Sequence, residues 1–435
     1  MGSFRVSGQK CIQMVMSKTK VLSSCIAFLL ICQVICQNAH AWRAGFSNQS
    51  FPYTEHPETS DKAACMAGYG MLCWRHATGS HDSVGVQALF LTDEVNDSLV
   101  FISLDAIGFS QTLAKTVRER LSTETLLAKE NILLTATHTH SSIDLQGLWG
   151  GLNEQQEQAI AEAIVETAKN AWGKTQKVSL HTATSNGLKG FNRRTKNNDI
   201  IPQILTIQLL NDQNKPFVTV FTLGSHPVVL GKDNTRLSSD WVHYARTKLT
   251  EQQGSPAMFI NGTLGDVLPG QDNPRTFAYA ETYGTEIAGL IINSLKNSEP
   301  LESSLKYCTE TIEDKADNYS LIMATKALRN GTVDWNDPFS KSYRTRASVI
   351  ALGKVVFLTT PGEPVTSMGR LLMRLVEHNP VAVLGLTHDS MGYLIPDKET
   401  KEDGNEERLM ISHTLSGKIF KSLQHLVSKC LIQPD

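Results

Sequence analysis

Hydrophobic and polar positions along this chain recur with two different periods, which predict strands interleaved with helices. Apolar runs closed by polar turns, such as VGVQALFLTD at 84–93 and SLVFISLD at 98–105, indicate strands. Apolar residues that recur every three or four positions, as in 110–124 and 153–173, indicate amphipathic helices. Further strands are predicted at 131–138, 178–185, 202–210, 216–223, 257–261, 346–352, 354–360 and 381–386, and further helices at 240–252, 277–296, 364–377 and 409–428.

This alternation predicts an α/β or α+β protein with one or two large sheets. No internal repeat or low-complexity segment is found, and no linker rich in proline, glycine and serine divides residues 42–435. We therefore expect these residues to form a single large domain. With 41% hydrophobic and 19% charged residues in a chain of 435, the composition is that of an ordinary globular protein.

The charge balance argues against a nucleic-acid partner. The chain has 41 Lys and Arg against 43 Asp and Glu, which gives a formal net charge of −2, and no basic run is present. No feature of the sequence indicates an obligate protein partner either.

The N-terminus has the features of a cleavable signal peptide. Residues 21–36, VLSSCIAFLLICQVIC, form an apolar run preceded by Lys18 and Lys20, and small residues stand at Ala39 and Ala41. We therefore predict a signal peptide over 1–41 and a secreted or periplasmic protein. A transmembrane anchor is the alternative, but the run is short for a span of about 20 residues.

Four cysteines lie beyond the predicted signal peptide, at Cys65, Cys73, Cys308 and Cys430. An exported protein can form disulfides. Cys65 and Cys73 would close a short loop, which would leave Cys308 and Cys430 as the second pair. Because four cysteines allow three pairings, this arrangement and four free thiols both remain open at this stage.

Chemically competent side chains cluster where predicted strands end. The strand at 131–138 runs into His138 and His140, and side chains two positions apart on a strand point to the same side. Loops at strand ends are favoured places for ligand sites in α/β proteins. Three more strand ends carry such residues, namely His226, then Glu363, and then His388, Asp389 and Tyr393.

Imidazole and carboxylate groups in this combination suit a catalytic zinc site with an open position for water. Zinc lowers the pKa of its bound water to about 7, and a neighbouring histidine can move protons or stabilise an oxyanion. Each residue also has a simpler interpretation. His226 alone would usually be a turn residue, Pro-Gly-Glu-Pro at 361–364 is typical of a turn, and Tyr393 alone would be part of the core.

The order of these motifs resembles the neutral/alkaline non-lysosomal ceramidases. The most specific match is TATHTHSS at 135–142, which is close to the Ala-Thr-His-Thr-His-Ser signature of that family. The resemblance extends over most of the chain after residue 41. It is carried further by CMAGYGM (65–71), GFNRR (190–194), GSHPVVLGKDNTRLSSDWVHYA (224–245), FINGTLGDVLPG (259–270), TTPGEPVT (359–366) and MGYLIP (391–396).

The resemblance implies an α/β fold in which two mixed β-sheets pack together between helices, in αββα-like layers. It implies one zinc ion as cofactor and His140 as the residue that acts as acid/base or stabilises the oxyanion, while a zinc-bound water is the nucleophile. Arg193 would bind the substrate, a ceramide-like N-acyl lipid, in transient contact with a membrane surface. The implied zinc ligands are His138, His226, Glu363 and Tyr393.

Four departures from the family pattern lie outside the implied zinc ligands. The serine of the family's Gly-Asp-x-Ser-Pro-Asn loop is Leu268 here, and the final asparagine is Gly270. A charged stretch at 397–409 replaces a tyrosine-rich segment, and the C-terminal β-sandwich domain of long members is not found within the 435 residues. Loss of a hydroxyl that bonds the substrate usually lowers selectivity for that substrate.

We therefore predict a zinc-dependent hydrolase that cleaves an N-acyl amide, most simply ceramide to sphingosine and fatty acid. A zinc hydrolase of another N-acyl or ester substrate, and a non-catalytic secreted binding protein with the same fold, are the alternatives. Around the site, we expect His388-Asp389 to form a surface turn rather than to orient a ligand. Asp240 and Asp266 would either orient His226 or a water, or cap neighbouring helices.

Overall fold

Two mixed β-sheets lie face to face, and helices cover the outer face of each. The computed structural model describes residues 42–52, 64–70, 72–327, 331–336, 339–402 and 404–432. The order helix, sheet, sheet, helix confirms the predicted αββα-like layers in a single domain. The predicted signal peptide over 1–41 lies outside the described residues.

Seven helices occur within the described ranges. They are α1 (Gln111–Thr125), α2 (Glu154–Gly173), α3 (Trp241–Gln253), α4 (Phe277–Leu295), α5 (Tyr319–Ala327), α6 (Thr366–Met373) and α7 (Leu415–Val427). The strands are β1 (Trp42–Ser50), β2 (Gly79–Ser80), β3 (Gly85–Thr92), β4 (Ser98–Leu104), β5 (Ile132–Ala136), β6 (Gln176–Ser185), β7 (Phe191–Asn192), β8 (Ile204–Asn211), β9 (Pro216–Leu223), β10 (Arg236–Leu237), β11 (Ala257–Asn261), β12 (Val267–Leu268), β13 (Glu299–Pro300), β14 (Leu305–Lys315), β15 (Ser342–Leu352), β16 (Val355–Thr359), β17 (Glu363–Pro364), β18 (Val381–Leu384) and β19 (Tyr393–Leu394).

The larger sheet has the order β11-β9-β8-β6-β1-β3-β4-β5, and β13 pairs with β6. Its two outermost pairs, β11 with β9 and β4 with β5, are parallel, whereas the pairs between them are antiparallel. Both faces of the sheet are buried. In β3, Val86 and Phe90 belong to the core under α1 and α2, whereas Leu89 and Leu91 face the second sheet. Burial on both faces explains why this strand appears in the sequence as a continuous apolar run.

The smaller sheet has the order β14-β15-β16-β18, with β16 parallel to β18. Its inner face contributes Leu352 and Phe357 to the core that it shares with the larger sheet. Its outer face packs on α6 and α7 in a core cluster that includes Val349 of β15 and Leu423 of α7. The C-terminal helix therefore closes one outer layer of the fold, because its apolar stripe must be buried against a sheet.

Helices α3 and α4 cover the other half of the larger sheet. Trp241 at the start of α3 is fully buried and packs on Phe259 of β11, with the ring centroids 5.1 Å apart in an edge arrangement. Helix α3 ends at Gln253 and is followed by Gly254, whose φ of +66° is the left-handed conformation that glycine adopts without strain.

Besides the two-residue strands, three longer elements of the described ranges escaped the sequence-based prediction, namely β1, α5 and β14. Strand β1 ends in the polar run Ser47–Ser50, and β14 lies at the edge of its sheet with polar residues at most of its positions. Such strands lack the alternation that identifies a half-buried strand. Two predicted helices were also too long, since α6 ends at Met373 and α7 begins at Leu415.

The structure decides the cysteine pairing that the sequence left open. Disulfides join Cys65 to Cys73 and Cys308 to Cys430. The first closes a short loop beside the candidate site, and the second ties β14 to the turn after α7. Across the described ranges, no helix has both the length and the apolar character that a membrane crossing requires.

Candidate functional site

The predicted site residues follow the ends of four strands. His138 and His140 come after β5, and His226 comes after β9. Glu363 and Tyr393 open the short strands β17 and β19, which pair in parallel with these two residues opposite each other. All four strand ends therefore deliver side chains to one region, as the sequence indicated.

The two neighbouring histidines converge for a different reason from the one predicted. Strand β5 ends at Ala136, and His138 has a φ of +68°, so the chain turns instead of continuing as a strand. The prediction that His138 and His140 both lie on the strand was therefore wrong. The imidazoles still share a cavity, because their ring centroids lie 5.0 Å apart and their Nε2 atoms 3.4 Å apart.

Backbone carbonyls fix the orientation of two imidazoles. Nδ1–H of His138 donates to the carbonyl of Ile107 at 2.6 Å, and Nδ1–H of His226 donates to the carbonyl of Val267 at 3.1 Å. Since a carbonyl only accepts, Nδ1 must carry the proton in each ring. In the neutral form of each ring, Nε2 then presents a lone pair to the cavity, the arrangement that metal-ligating histidines show.

Glu363 places a carboxylate between these two rings. Its Oε2 lies 3.2 Å from Nε2 of His138 and 3.2 Å from Nε2 of His226, and the residue is 7% exposed. Burial alone would raise the pKa of Glu363, but His138 and His226 hold it well below its usual value. Burial lowers the pKa of His226 to about 4, so at neutral pH an ionised carboxylate faces a neutral imidazole.

Several of these buried atoms have no hydrogen-bond partner, including Oε2 of Glu363 and Nε2 of His226. Converging, unsatisfied lone pairs are costly in a protein interior unless a cation or a proton binds them. Nitrogen and carboxylate oxygen donors that converge in one buried cluster fit zinc. The donor set of this structure is therefore compatible with the implied metal.

His140 shares the cavity but has different surroundings. A ring nitrogen of each of His138, His140 and His226 lies within 4.8 Å of the others, so geometry alone would also admit three histidine ligands. Nδ1 of His140 is buried and has no hydrogen-bond partner. Burial and the neighbouring histidines hold the pKa of His140 well below its usual value, so its imidazole is neutral and can accept a proton.

Arg193 and Tyr393 meet at the side of this cavity. Nη2 of Arg193 donates to the Tyr393 hydroxyl at 2.8 Å and to the carbonyl of Gly265 at 3.0 Å. Burial, and then the charge of Glu363, raise the pKa of Tyr393. The structure thus places Arg193 against the hydroxyl of Tyr393, one of the implied zinc ligands. The substrate-binding role of Arg193 stays a prediction.

Two further residues of the site region escaped sequence reasoning. The guanidinium of Arg75 is buried and donates to the carbonyls of His140 and Ala67, which fixes the loop closed by the first disulfide. Asp144 accepts hydrogen bonds from the backbone N–H groups of Gln146, Gly147, Trp149 and Gly151. An aspartate before a glycine-rich stretch is a turn signal that could have identified Asp144, whereas no local signal identifies Arg75.

The structure also places four residues whose roles the sequence left open or predicted around the site. Asp240 accepts from the first backbone N–H of α3, and Asp266 accepts from the N–H and hydroxyl of Thr366 at the start of α6, so both act as helix caps. The prediction of a surface turn at His388-Asp389 was wrong, because both residues are buried. His388 contacts Ser348 through Nε2 at 2.7 Å.

Another group with metal-binding residue types lies near the site, at Cys65, Cys73 and His76. The two sulfur atoms are joined in a disulfide, so they have no thiolate to offer a metal. Leu268, which stands where the resembling family has serine, is partly buried in β12 opposite Phe191 of β7. It follows Val267, the residue whose carbonyl orients His226.

Comparison with known proteins finds similarity both in sequence and in fold. The family model described as "Neutral/alkaline non-lysosomal ceramidase, N-terminal" matches residues 60–269. No curated protein sequence matches the chain. Among solved structures, the neutral ceramidase from Pseudomonas aeruginosa matches with a TM-score of 0.76 and 15% identity, over 91% of this chain and 77% of that chain. A ceramidase complexed with C2 matches with a TM-score of 0.74 and 14% identity over the same shares.

Proposed function

We propose that this chain, whose residues 60–269 match the family model of the neutral/alkaline non-lysosomal ceramidases, cleaves the N-acyl amide bond of a ceramide-like lipid. The products are the fatty acid and the free long-chain amine, sphingosine in the case of ceramide. The convergence of His138, His226 and Glu363 on one buried cavity is the observation that carries this proposal.

The residues that would hold zinc are His138, His226, Glu363 and Tyr393. Both histidines offer Nε2 lone pairs fixed by carbonyl hydrogen bonds, and Glu363 offers an unpartnered oxygen. When bound, zinc supplies a Lewis acid that polarises the acyl carbonyl and makes water a nucleophile near neutral pH.

His140 is the proposed acid/base. Its neutral imidazole can take the proton that the attacking water loses and deliver it to the nitrogen of the departing amine, so that the amide C–N bond breaks without leaving an amide anion. Its carbonyl is held by Arg75, and the ring of Tyr69 meets its ring edge-on at a centroid distance of 5.0 Å. The imidazole is therefore set in place before substrate arrives.

The test uses a fluorescent short-chain ceramide and the purified protein, with zinc quantified in the same sample. We expect fatty-acid release with about one zinc per chain. His138→Ala should lose both zinc and turnover, whereas His140→Ala should keep zinc and lose a factor of about 10² to 10⁴ in kcat. Turnover and zinc content that survive in His138→Ala would refute the site.

Leu268 favours a second candidate, a hydrolase of another N-acyl or ester substrate. An aliphatic side chain at this half-buried position cannot donate the hydrogen bond that a serine would. A panel of ceramides, simpler N-acyl amines and O-acyl esters tests this. If Leu268→Ser raises kcat/KM for ceramide relative to the other substrates, the position controls substrate choice, and an unchanged ratio would remove Leu268 from the argument.

We also propose that the protein is secreted or periplasmic. The two disulfides support this, because disulfides persist mainly in oxidising compartments. Expression of the full chain followed by N-terminal sequencing should find Trp42 as the first residue of the exported protein. Retention of the uncut chain inside the cell would contradict the proposal.

A further inference from the structure

A cluster of four charged side chains lies against the proposed active site. Arg193 and Arg194 follow β7, while Glu406 and Glu407 lie in the charged stretch 397–409. Oε1 of Glu406 is 2.7 Å from Nε of Arg193, and Oε2 of Glu406 is 2.9 Å from Nη1 of Arg194. One carboxylate therefore bridges two consecutive arginines.

The two neighbouring glutamates have different partners. Both oxygens of Glu407 bond Arg194, at 2.8 and 3.0 Å, and Oε1 of Glu407 also accepts from the backbone N–H of Lys401. Glu406 alone of the two reaches Arg193. The side chains of Glu406 and Glu407 are 10% and 3% exposed, so both ion pairs are largely withdrawn from solvent and are not weakened to the level of surface pairs.

Arg193 transmits this contact to the site. Its Nε is bonded to Glu406, while its Nη2 donates to the Tyr393 hydroxyl and to the carbonyl of Gly265. The guanidinium carbon also lies 5.6 Å from the centroid of the Tyr393 ring. Since a guanidinium is a rigid plane, a carboxylate that holds one edge fixes the direction of the donors on the other.

We propose that Glu406 is a positioning residue that acts through Arg193 on the Tyr393 hydroxyl. The inference rests on the proposed function, in which Tyr393 is a zinc ligand, and it gives the charged stretch 397–409 a role in the site. Removal of the Glu406 carboxylate frees Arg193 to rotate, and the Tyr393 oxygen then loses its fixed donor. Partners of this kind typically change metal affinity by about 10- to 100-fold.

The experiment compares Glu406→Gln with the matched control Glu407→Gln. Zinc affinity is measured by competition with a chelator. The kinetic constants kcat and KM are measured on the fluorescent ceramide, and thermal unfolding shows whether each variant is folded. We expect Glu406→Gln to weaken zinc binding by about 10-fold or more and to lower kcat with little change in KM. Glu407→Gln should lose a similar amount of thermal stability and keep zinc affinity within about twofold of the parent protein.

The same comparison in a Tyr393→Phe background tests the route. If Glu406 acts through the Tyr393 hydroxyl, Glu406→Gln should cause no further loss of zinc affinity there. The positioning role would be overturned if Glu406→Gln and Glu407→Gln lost equal zinc affinity. It would also be overturned if Glu406→Gln lost as much zinc affinity in the Tyr393→Phe background as in the parent protein. Zinc binding without ceramide turnover in the parent protein would refute the proposed substrate alone, because the affinity comparison does not require turnover.

Discussion

Glu363→Gln removes the negative charge from the proposed zinc site and keeps the shape of the side chain. In the parent protein, Oε2 of Glu363 lies 3.2 Å from Nε2 of both His138 and His226. An amide offers a weaker oxygen donor and no charge to a divalent cation. We therefore expect Glu363→Gln to fold and to lose zinc affinity.

The size of the effect follows from ligand linkage. A ligand present at 100 times its dissociation constant stabilises the folded state by about 2.7 kcal/mol. Loss of a residue that only orients a metal-binding side chain lowers metal affinity by about 10- to 100-fold. Glu363 would contact zinc directly, so we expect the loss of its carboxylate to lower zinc affinity by about 100-fold or more. At the same free zinc, the stabilisation then falls to about 0.4 kcal/mol or less.

The assay is denaturant unfolding of each protein with buffered free zinc and with chelator. Since the comparison is made within each protein, any effect of the substitution on the metal-free fold cancels. Asp93→Asn is the matched control. Asp93 is also a buried carboxylate, 5% exposed, but it lies between β3 and β4, at the end of the sheet opposite to His138.

The result that refutes the reasoning is a zinc-dependent stabilisation of Glu363→Gln equal to that of the parent protein. Such a result would mean that zinc binds elsewhere or that the three histidines suffice. His226→Ala separates the two cases. It would remove the zinc-dependent stabilisation if the three histidines bind zinc, and it would leave the stabilisation unchanged if zinc binds elsewhere.

Three further predictions concern single contacts. Arg75→Lys should fold normally but lower kcat by about 10-fold or more, because lysine cannot donate to the carbonyls of both Ala67 and His140 in a fixed plane. Steady-state kinetics test the loss of kcat, and circular dichroism tests the fold. Replacing Cys308 and Cys430 together by serine should cost about 3–5 kcal/mol in the free energy of unfolding, because the disulfide closes a loop with a sequence separation of 122, and an unchanged denaturant midpoint would contradict it. Burial raises the pKa of Asp389 to about 7. The parent protein should therefore lose stability relative to Asp389→Asn as pH rises from about 4 to 7 and not beyond, by less than about 4 kcal/mol. Free energies of unfolding that change with pH in parallel for the two proteins would be the contrary result.

The elements that the sequence predicted well are those whose pattern is set by local burial. Strands β3, β4 and β5 are buried on both faces, and their apolar runs mark them within a residue or two. Helix α2 is marked by its spacing and by a capping box at Asn153. Strand β14 could not be found in this way, because it lies at a sheet edge and polar residues occupy most of its positions.

The sequence by itself determined an alternation of strands and helices with one or two large sheets, and it placed His138, His226 and Glu363 at strand ends, since periodicity and strand-end motifs are local properties. The αββα layers and the roles of Tyr393 and Arg193 came from the family resemblance and not from local pattern. Only the tertiary structure decided which cysteines pair, that a turn at His138 rather than a continuing strand brings His140 alongside, and that Arg75 and Glu406 support the site. These contacts join segments far apart in the chain, 65 residues for Arg75 and His140 and 212 for Arg194 and Glu406. The physical reason is that such contacts depend on how the two sheets pack, which no local pattern of residues encodes.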